Sequence, residues 1–150
     1  RLHRAARVPE GHGELLELTR RAAGVPMPLR HDAERQGGRV ATILVFLSDA
    51  AGGDMVLPQG SGCSTAEDCC GGGKALRVPP RKGRGVLLYL RTVGGRGLDK
   101  AAVYGACPMG AGAVWTAQLW LRATPGRGGG GYAADPAYDL PARSSVVVGA

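Results

Sequence analysis

Hydrophobic and polar positions change their period several times along the chain. Residues 1–12 are basic and show no period. From Gly13 onward, Leu15, Leu18 and Ala22 fall at i, i+3 and i+7, one face of a helix, and Gly24 and Pro26 follow as stop signals. This spacing predicts a helix over residues 13–23. Pro26-Met27-Pro28 then holds the chain extended, because a residue before proline avoids the helical region. Residues 39–47 (RVATILVFL) are β-rich, apolar on both faces, and bounded by Gly37-Gly38 and Ser48-Asp49, which suits a strand covered on both sides. Shorter strands are predicted at 55–57, 75–78, 85–90, 103–107 and 114–122. Gly/Pro turns and a Gly-, Ser- and Cys-rich loop over 59–74 separate them. Many short strands with such turns predict a mainly β barrel or sandwich. After Arg122 the chain becomes Gly- and Pro-rich. Residues 124–150 read as a flexible tail, in which Val146-Val147-Val148 is too short and isolated to assign.

Composition narrows the classes. Length allows one domain of 150 residues, and hydrophobic residues at 44% exclude a charge-driven disordered chain. No apolar run approaches the roughly 18 residues of a membrane span. No signal-peptide pattern is visible at the start. Aromatics make up only 5%, so the core is built from Val, Leu and Ala around two Trp residues. The net charge is +7, and 16 of the 19 basic residues are Arg. With abundant Ala and Gly, this bias reads as coding composition, and no specific nucleic-acid partner is expected.

Four cysteines, Cys63, Cys69, Cys70 and Cys107, permit disulfides in three pairings, and Cys63 with either Cys69 or Cys70 would close a small loop. No CxxC knuckle is present to suggest zinc. Gly71-Gly72-Gly73-Lys74 lacks the Ser or Thr that a phosphate loop places after its lysine, since position 75 is Ala.

Several blocks, in order, resemble the catalytic domain of plant and algal prolyl 4-hydroxylases, which are Fe(II)/2-oxoglutarate dioxygenases. Residues 38–49 (GRVATILVFLSD) resemble the family's GQRIATVLMYLSD, and 52–58 (GGDMVLP) resemble GGETVFP. Leu76-Arg77-Val78-Pro79 with residues 83–89 resembles LSVKP…GDALLF. Residues 99–109 resemble D-x-x-SLHGGCPV, and 112–121 (GAVWTAQLWL) resemble GxKWxATKWI. The helix expected at 13–23, followed by Val25-Pro26, resembles a family helix ending in an Ile-Pro step. The resemblance covers residues 13–123, about two thirds of the chain closely. It implies a double-stranded β-helix (jelly roll), incomplete here, with an N-terminal helix.

The resemblance also implies a site. The family binds Fe(II) through a His-x-Asp pair and a distal His, and uses 2-oxoglutarate, held by a Lys, with ascorbate as reductant. It acts on proline-rich polypeptides in the endoplasmic reticulum and secretory pathway. In this chain the distal His position is Tyr104, a phenol that is mainly neutral and a poor ligand for Fe(II). The 2-oxoglutarate Lys position, taken as the residue before the second Trp, is Leu119. Arg122 does not replace it, because i and i+3 on a strand face opposite ways. The segment that should carry His-x-Asp is shortened around 27–36. His31-Asp32 is the one candidate there, and adjacent strand residues point to opposite faces. The expectation is a degenerate family member with hydroxylation lost or weakened, or a non-catalytic module binding proline-rich polypeptides. For the module, Trp115, Trp120 and Tyr89 are possible contacts.

Overall fold

The computed structural model describes residues 1–35, 38–72, 74–125 and the strand at 146–149. The ordered elements are mainly β. Strand β3 (Arg39–Phe46) is the eight-residue apolar run and lies at the centre of a five-stranded sheet. On one side it pairs with β8 (Ala113–Arg122), which pairs in turn with β1 (Glu17–Ala22). On the other side it pairs with β6 (Gly85–Tyr89) and then β9 (Val146–Gly149). A four-stranded sheet runs in the order β2 (Met27–Arg30), β7 (Tyr104–Ala106), β4 (Met55–Leu57) and β5 (Leu76–Val78). Every pairing is antiparallel.

The two sheets face each other. Leu44 and Phe46 of β3, Leu88 of β6, Leu57 of β4, Val78 of β5 and Tyr104 of β7 share one buried cluster. The opposite face of β3 is also covered. Ala41 and Ile43, with Leu119 and Leu121 of β8, pack beneath Ala6 of the short helix α1 (Leu2–Ala6) and the neighbouring Val8. The basic N-terminal segment is therefore a lid on the larger sheet, and it supplies that lid through Leu2, Ala6 and Val8.

The helix expected at 13–23 is not there. Residues Glu17–Ala22 form strand β1, paired residue by residue with β8 from Glu17↔Gln118 to Ala22↔Ala113. The leucines that suggested a buried helical face are exposed, Leu15 at 92% and Leu18 at 61%. Glu17, Thr19 and Arg21 instead turn inward and line a cavity. Backbone pairing along β8 overrides a weak periodicity signal. The tail expected over 124–150 contributes β9 to the sheet edge, and residues 126–145 lie outside the described ones. The Cys-rich loop contains helix α3 (Ala66–Cys70), capped by the Thr65 hydroxyl, which accepts from the Asp68 amide. Its disulfides are Cys63–Cys69 and Cys70–Cys107, the second joining α3 to the end of β7.

Two arginine clusters fasten β1 and its approach. Arg21 donates from Nη1 to the carbonyls of Cys107 (2.7 Å) and Val25 (3.2 Å), and from Nη2 to that of Gly53 (2.9 Å). Just before β1, Glu14 receives both ends of the Arg39 guanidinium, at 2.9 and 2.6 Å, and Arg122 at 3.1 Å. The Arg39 hydrogen bonds hold the Glu14 carboxyl below its ordinary value, against burial, with Arg122 assisting. A depressed carboxyl adds stability above its unfolded pKa of 4.5 and loses it as pH falls through the folded value. Glu14→Gln is expected to cost about 1 kcal/mol at neutral pH, since the cluster is partly exposed. Urea melts should show the gap closing in acid, and a gap constant from neutral to acid pH would contradict this account.

Candidate functional site

Strand β2 ends on Arg30, directly opposite Tyr104 of β7. The chain then turns at His31, and Asp32 opens the single-turn helix α2 (Asp32–Arg35). The turn separates the two candidate ligands. The His31 Nε2 donates to the Asp99 carbonyl at 3.1 Å, whereas the Asp32 carboxylate points into the space between the sheets. Neither residue lies on a strand, and their side chains do not converge.

The residues that do converge are Arg30, Asp32, Tyr104, Gln118 and Trp120. Asp32 is 1% exposed and Tyr104 is fully buried. Asp32 Oδ2 accepts from the Tyr104 hydroxyl (2.9 Å), Gln118 Nε2 (3.0 Å) and Trp120 Nε1 (2.9 Å). Asp32 Oδ1 has no hydrogen bond and faces Arg30 Nε at 3.4 Å. Arg30 in turn donates to the Tyr104 oxygen from Nε (3.0 Å) and Nη2 (2.8 Å), and from Nη2 to Gln118 Oε1 (2.9 Å). The Gln118 amide also reaches Thr42 Oγ1 (2.9 Å) and the Tyr104 oxygen (2.7 Å), so two hydrogens serve three acceptors. Trp120 is fixed from its other side by Arg39, whose guanidinium carbon lies 4.2 Å from the ring centroid.

Burial pushes the Tyr104 phenol well above its ordinary value, and the Asp32 carboxylate adds to that push, while Arg30 and Gln118 oppose it. Tyr104 therefore stays protonated and acts as a donor to Asp32. Burial draws the Arg30 guanidinium down, but the Tyr104 oxygen and the Asp32 carboxylate outweigh it and the net shift is upward. The cluster is an ion pair wrapped in neutral donors and acceptors, which is the way a buried charge is made tolerable.

Close strand packing holds this arrangement. A Cβ on Gly105, next to Tyr104, would meet the Met27 carbonyl at 2.8 Å and the Leu29 side chain at 3.0 Å. Glycine there lets β7 approach β2 and bring Tyr104 to Arg30. Beside the cluster lies a cavity of about 100 Å³. Its walls are apolar at Leu44, Phe46 and Val114 and polar at Arg21, Arg30 and Thr116.

Leu119 does not join the site. On β8, Val114, Thr116 and Gln118 face the cavity, so Leu119 points the other way and packs with Ile43 and Leu121 under α1. The quoted motif GxKWxATKWI has two lysines, and its first position, Val114, is the one whose side chain turns inward. The correction is one of strand parity. Trp115, Trp120 and Tyr89 are not gathered either. Trp115 is exposed on the outer face, Trp120 is committed to Asp32, and Tyr89 is buried with its hydroxyl on the Ala6 carbonyl.

The residues present do not fit a ferrous ion. Asp32 Oδ1, the cluster's carboxylate oxygen without a hydrogen bond, faces a cation, and Tyr104 offers a protonated phenol. Among the described residues, no three His, Cys, Asp or Glu side chains gather where they could hold a metal. Sequence reasoning missed Arg30 and Gln118. Counting the x of a His-x-Asp pair back from Asp32 lands on Arg30, and that spacing was the available signal.

No family model matches the chain. Curated relatives do. The chain is 30% identical over 135 residues to probable prolyl 4-hydroxylase 9 of Arabidopsis thaliana, an alignment covering 81% of this chain and 45% of that protein. It is 33% identical over 129 residues to prolyl 4-hydroxylase 1 of the same plant, covering 78% and 44%. The chain thus spans under half the length of these relatives. Among solved structures, it is similar to the viral collagen prolyl hydroxylase of Paramecium bursaria Chlorella virus-1. The 2OG complex of that protein aligns with TM-score 0.58 and 20% identity, covering 75% of this chain and 59% of that one. A truncated form aligns with TM-score 0.55 and 19% identity, covering 75% and 56%. Shared sequence with the plant proteins and shared fold with the viral one make this chain a prolyl 4-hydroxylase-like protein.

Proposed function

We propose that the chain is a prolyl 4-hydroxylase-like domain, a shortened double-stranded β-helix, that does not carry out iron-dependent hydroxylation and retains a binding role toward proline-rich polypeptides. The observation that carries the first half is the Arg30 guanidinium lodged between Asp32 and Tyr104. A cation already sits against the buried carboxylate, and the neighbouring phenol stays protonated. The residues of this cluster supply neither the lone pairs nor the free charge that Fe(II) asks of its ligands. No step through iron, 2-oxoglutarate or ascorbate follows from such a cluster.

The binding half rests on the cavity. A polyproline II segment has no internal hydrogen bonds, so its carbonyls are open to donors and its rings to apolar walls. Leu44, Phe46 and Val114 line the cavity on the apolar side, and Arg21 and Arg30, each already held by partners within the fold, border it on the polar side. We place the protein in the secretory pathway, because two disulfides suit an oxidising compartment. No helix among the described residues is long and apolar enough to cross a membrane.

Two measurements test the reading. Incubation with Fe(II), 2-oxoglutarate, ascorbate and a proline-rich peptide should release no succinate above the enzyme-free control. A fluorescent oligoproline peptide should bind with an anisotropy change that a proline-free peptide of equal length does not give. Turnover would overturn the first half, and equal behaviour of the two peptides the second.

A further inference from the structure

We propose that Arg30 is an internal substitute for a metal ion: its guanidinium occupies the place on which residues 30, 32 and 104 converge, and completes the polar core as a covalently attached cation. This inference rests on the reading above that the domain works without iron.

Three observations carry it. The first is spacing. Arg30-x-Asp32 repeats the interval of a His-x-Asp pair, and Tyr104, at the distal His position, stands directly across the strand pair from Arg30. The second is contact. One guanidinium reaches the Tyr104 oxygen at 2.8 and 3.0 Å, Gln118 Oε1 at 2.9 Å and Asp32 Oδ1 at 3.4 Å, so it touches every other polar member of the cluster except Trp120 and Thr42. The third is charge. Asp32 is buried at 1% exposure, and a carboxylate in that position requires a cation beside it.

The chemistry of the exchange is consistent. A metal ion and a guanidinium make the same demand on Asp32, an oxygen lone pair facing a positive charge. They differ in what they ask of the third partner. A ferrous ion prefers an imidazole nitrogen over a neutral phenol. A guanidinium is a fork of N–H donors that stays charged at any physiological pH, and a phenol oxygen is a good acceptor for it. Tyr104 therefore fits an arginine-filled site and would be a poor ligand in a metal-filled one. Its hydroxyl completes the circuit by donating to Asp32. The substitutions at 30 and 104 form a matched pair under this account, each explaining the other.

Thermal melts and cobalt titrations of the full chain test it. Wild-type protein should melt at the same temperature in chelator and in excess Mn(II) or Co(II), and should show no Co(II) absorption bands in the visible. Arg30→Ala should lower Tm by roughly 5–10 °C, because Asp32 loses its cation. Guanidinium ion, at concentrations far below those that unfold wild type, should restore part of that loss, and equal concentrations of sodium chloride or urea should not. The double variant Arg30→His/Tyr104→His should gain one Co(II) with visible bands that disappear on adding Asp32→Asn. An unchanged Tm in Arg30→Ala, a fall that guanidinium does not repair, or a folded double variant that takes no cobalt would each overturn the inference. If the double variant does not fold, the Arg30→Ala melts decide alone. These failures differ from succinate production by wild type, which would overturn the reading on which the inference rests.

Discussion

Asp32→Ala is expected to be the most damaging single substitution in the chain, lowering stability by about 3–5 kcal/mol. The cost comes from what remains. Arg30 is left as a partly buried cation without its acid, and the Tyr104 hydroxyl, the Gln118 amide and the Trp120 indole each lose an acceptor. A buried donor that loses its partner carries its whole desolvation penalty. Urea unfolding at neutral pH, read as a shift in midpoint at constant slope, measures it. The same logic predicts strong coupling: Arg30→Met/Asp32→Leu should cost far less than the sum of the single changes, because an apolar pair leaves no charge stranded. A loss below about 1 kcal/mol for Asp32→Ala would show that water reaches the carboxylate and that the cluster is not a dry one.

Opening the Cys70–Cys107 bridge is the second large effect expected. The bridge spans 37 residues, so paired replacement by Ala is expected to cost about 4 kcal/mol through the unfolded chain's regained freedom. The Cys63–Cys69 bridge spans 6 residues, and its removal should cost about 2 kcal/mol on the same scale. The longer bridge also fastens α3 against the end of β7, three residues from Tyr104, where Val56 packs with Cys69 and Cys107. Its loss should therefore broaden NMR signals or raise amide exchange at residues 104–107 before it does so in the larger sheet. Equal losses from the two bridges would show that chain entropy is not what they supply.

Most strands were legible because their signal is simple. The run at 39–47 is apolar on both faces, and the structure covers both, one with the smaller sheet and one with α1. Strand β1 was not legible because its polarity is inverted. Glu17, Thr19 and Arg21 face the cavity and the backbone carbonyls around it, while Leu18 faces solvent, so the pattern resembles a helix more than a half-buried strand. The site was half legible. Tyr104 was found through its motif, and Asp32 was found with the wrong companion, since a search for imidazole passes over an arginine at the right interval. Leu119 failed by one unit of parity, which no count of residue types detects. Gln118 carried no signal at all, because an amide on a strand reads as surface until its partners are known.

The clasp made by Arg21 has a consequence for how freely this protein can vary. Its three acceptors, the carbonyls of Val25, Gly53 and Cys107, belong to the main chain and are present whatever side chain each position bears. Mutational drift at those three places cannot erase the partners, only displace them. One codon therefore secures the junction of three segments, and its loss would release all three at once, whereas a new side chain at Val25 leaves the clasp intact.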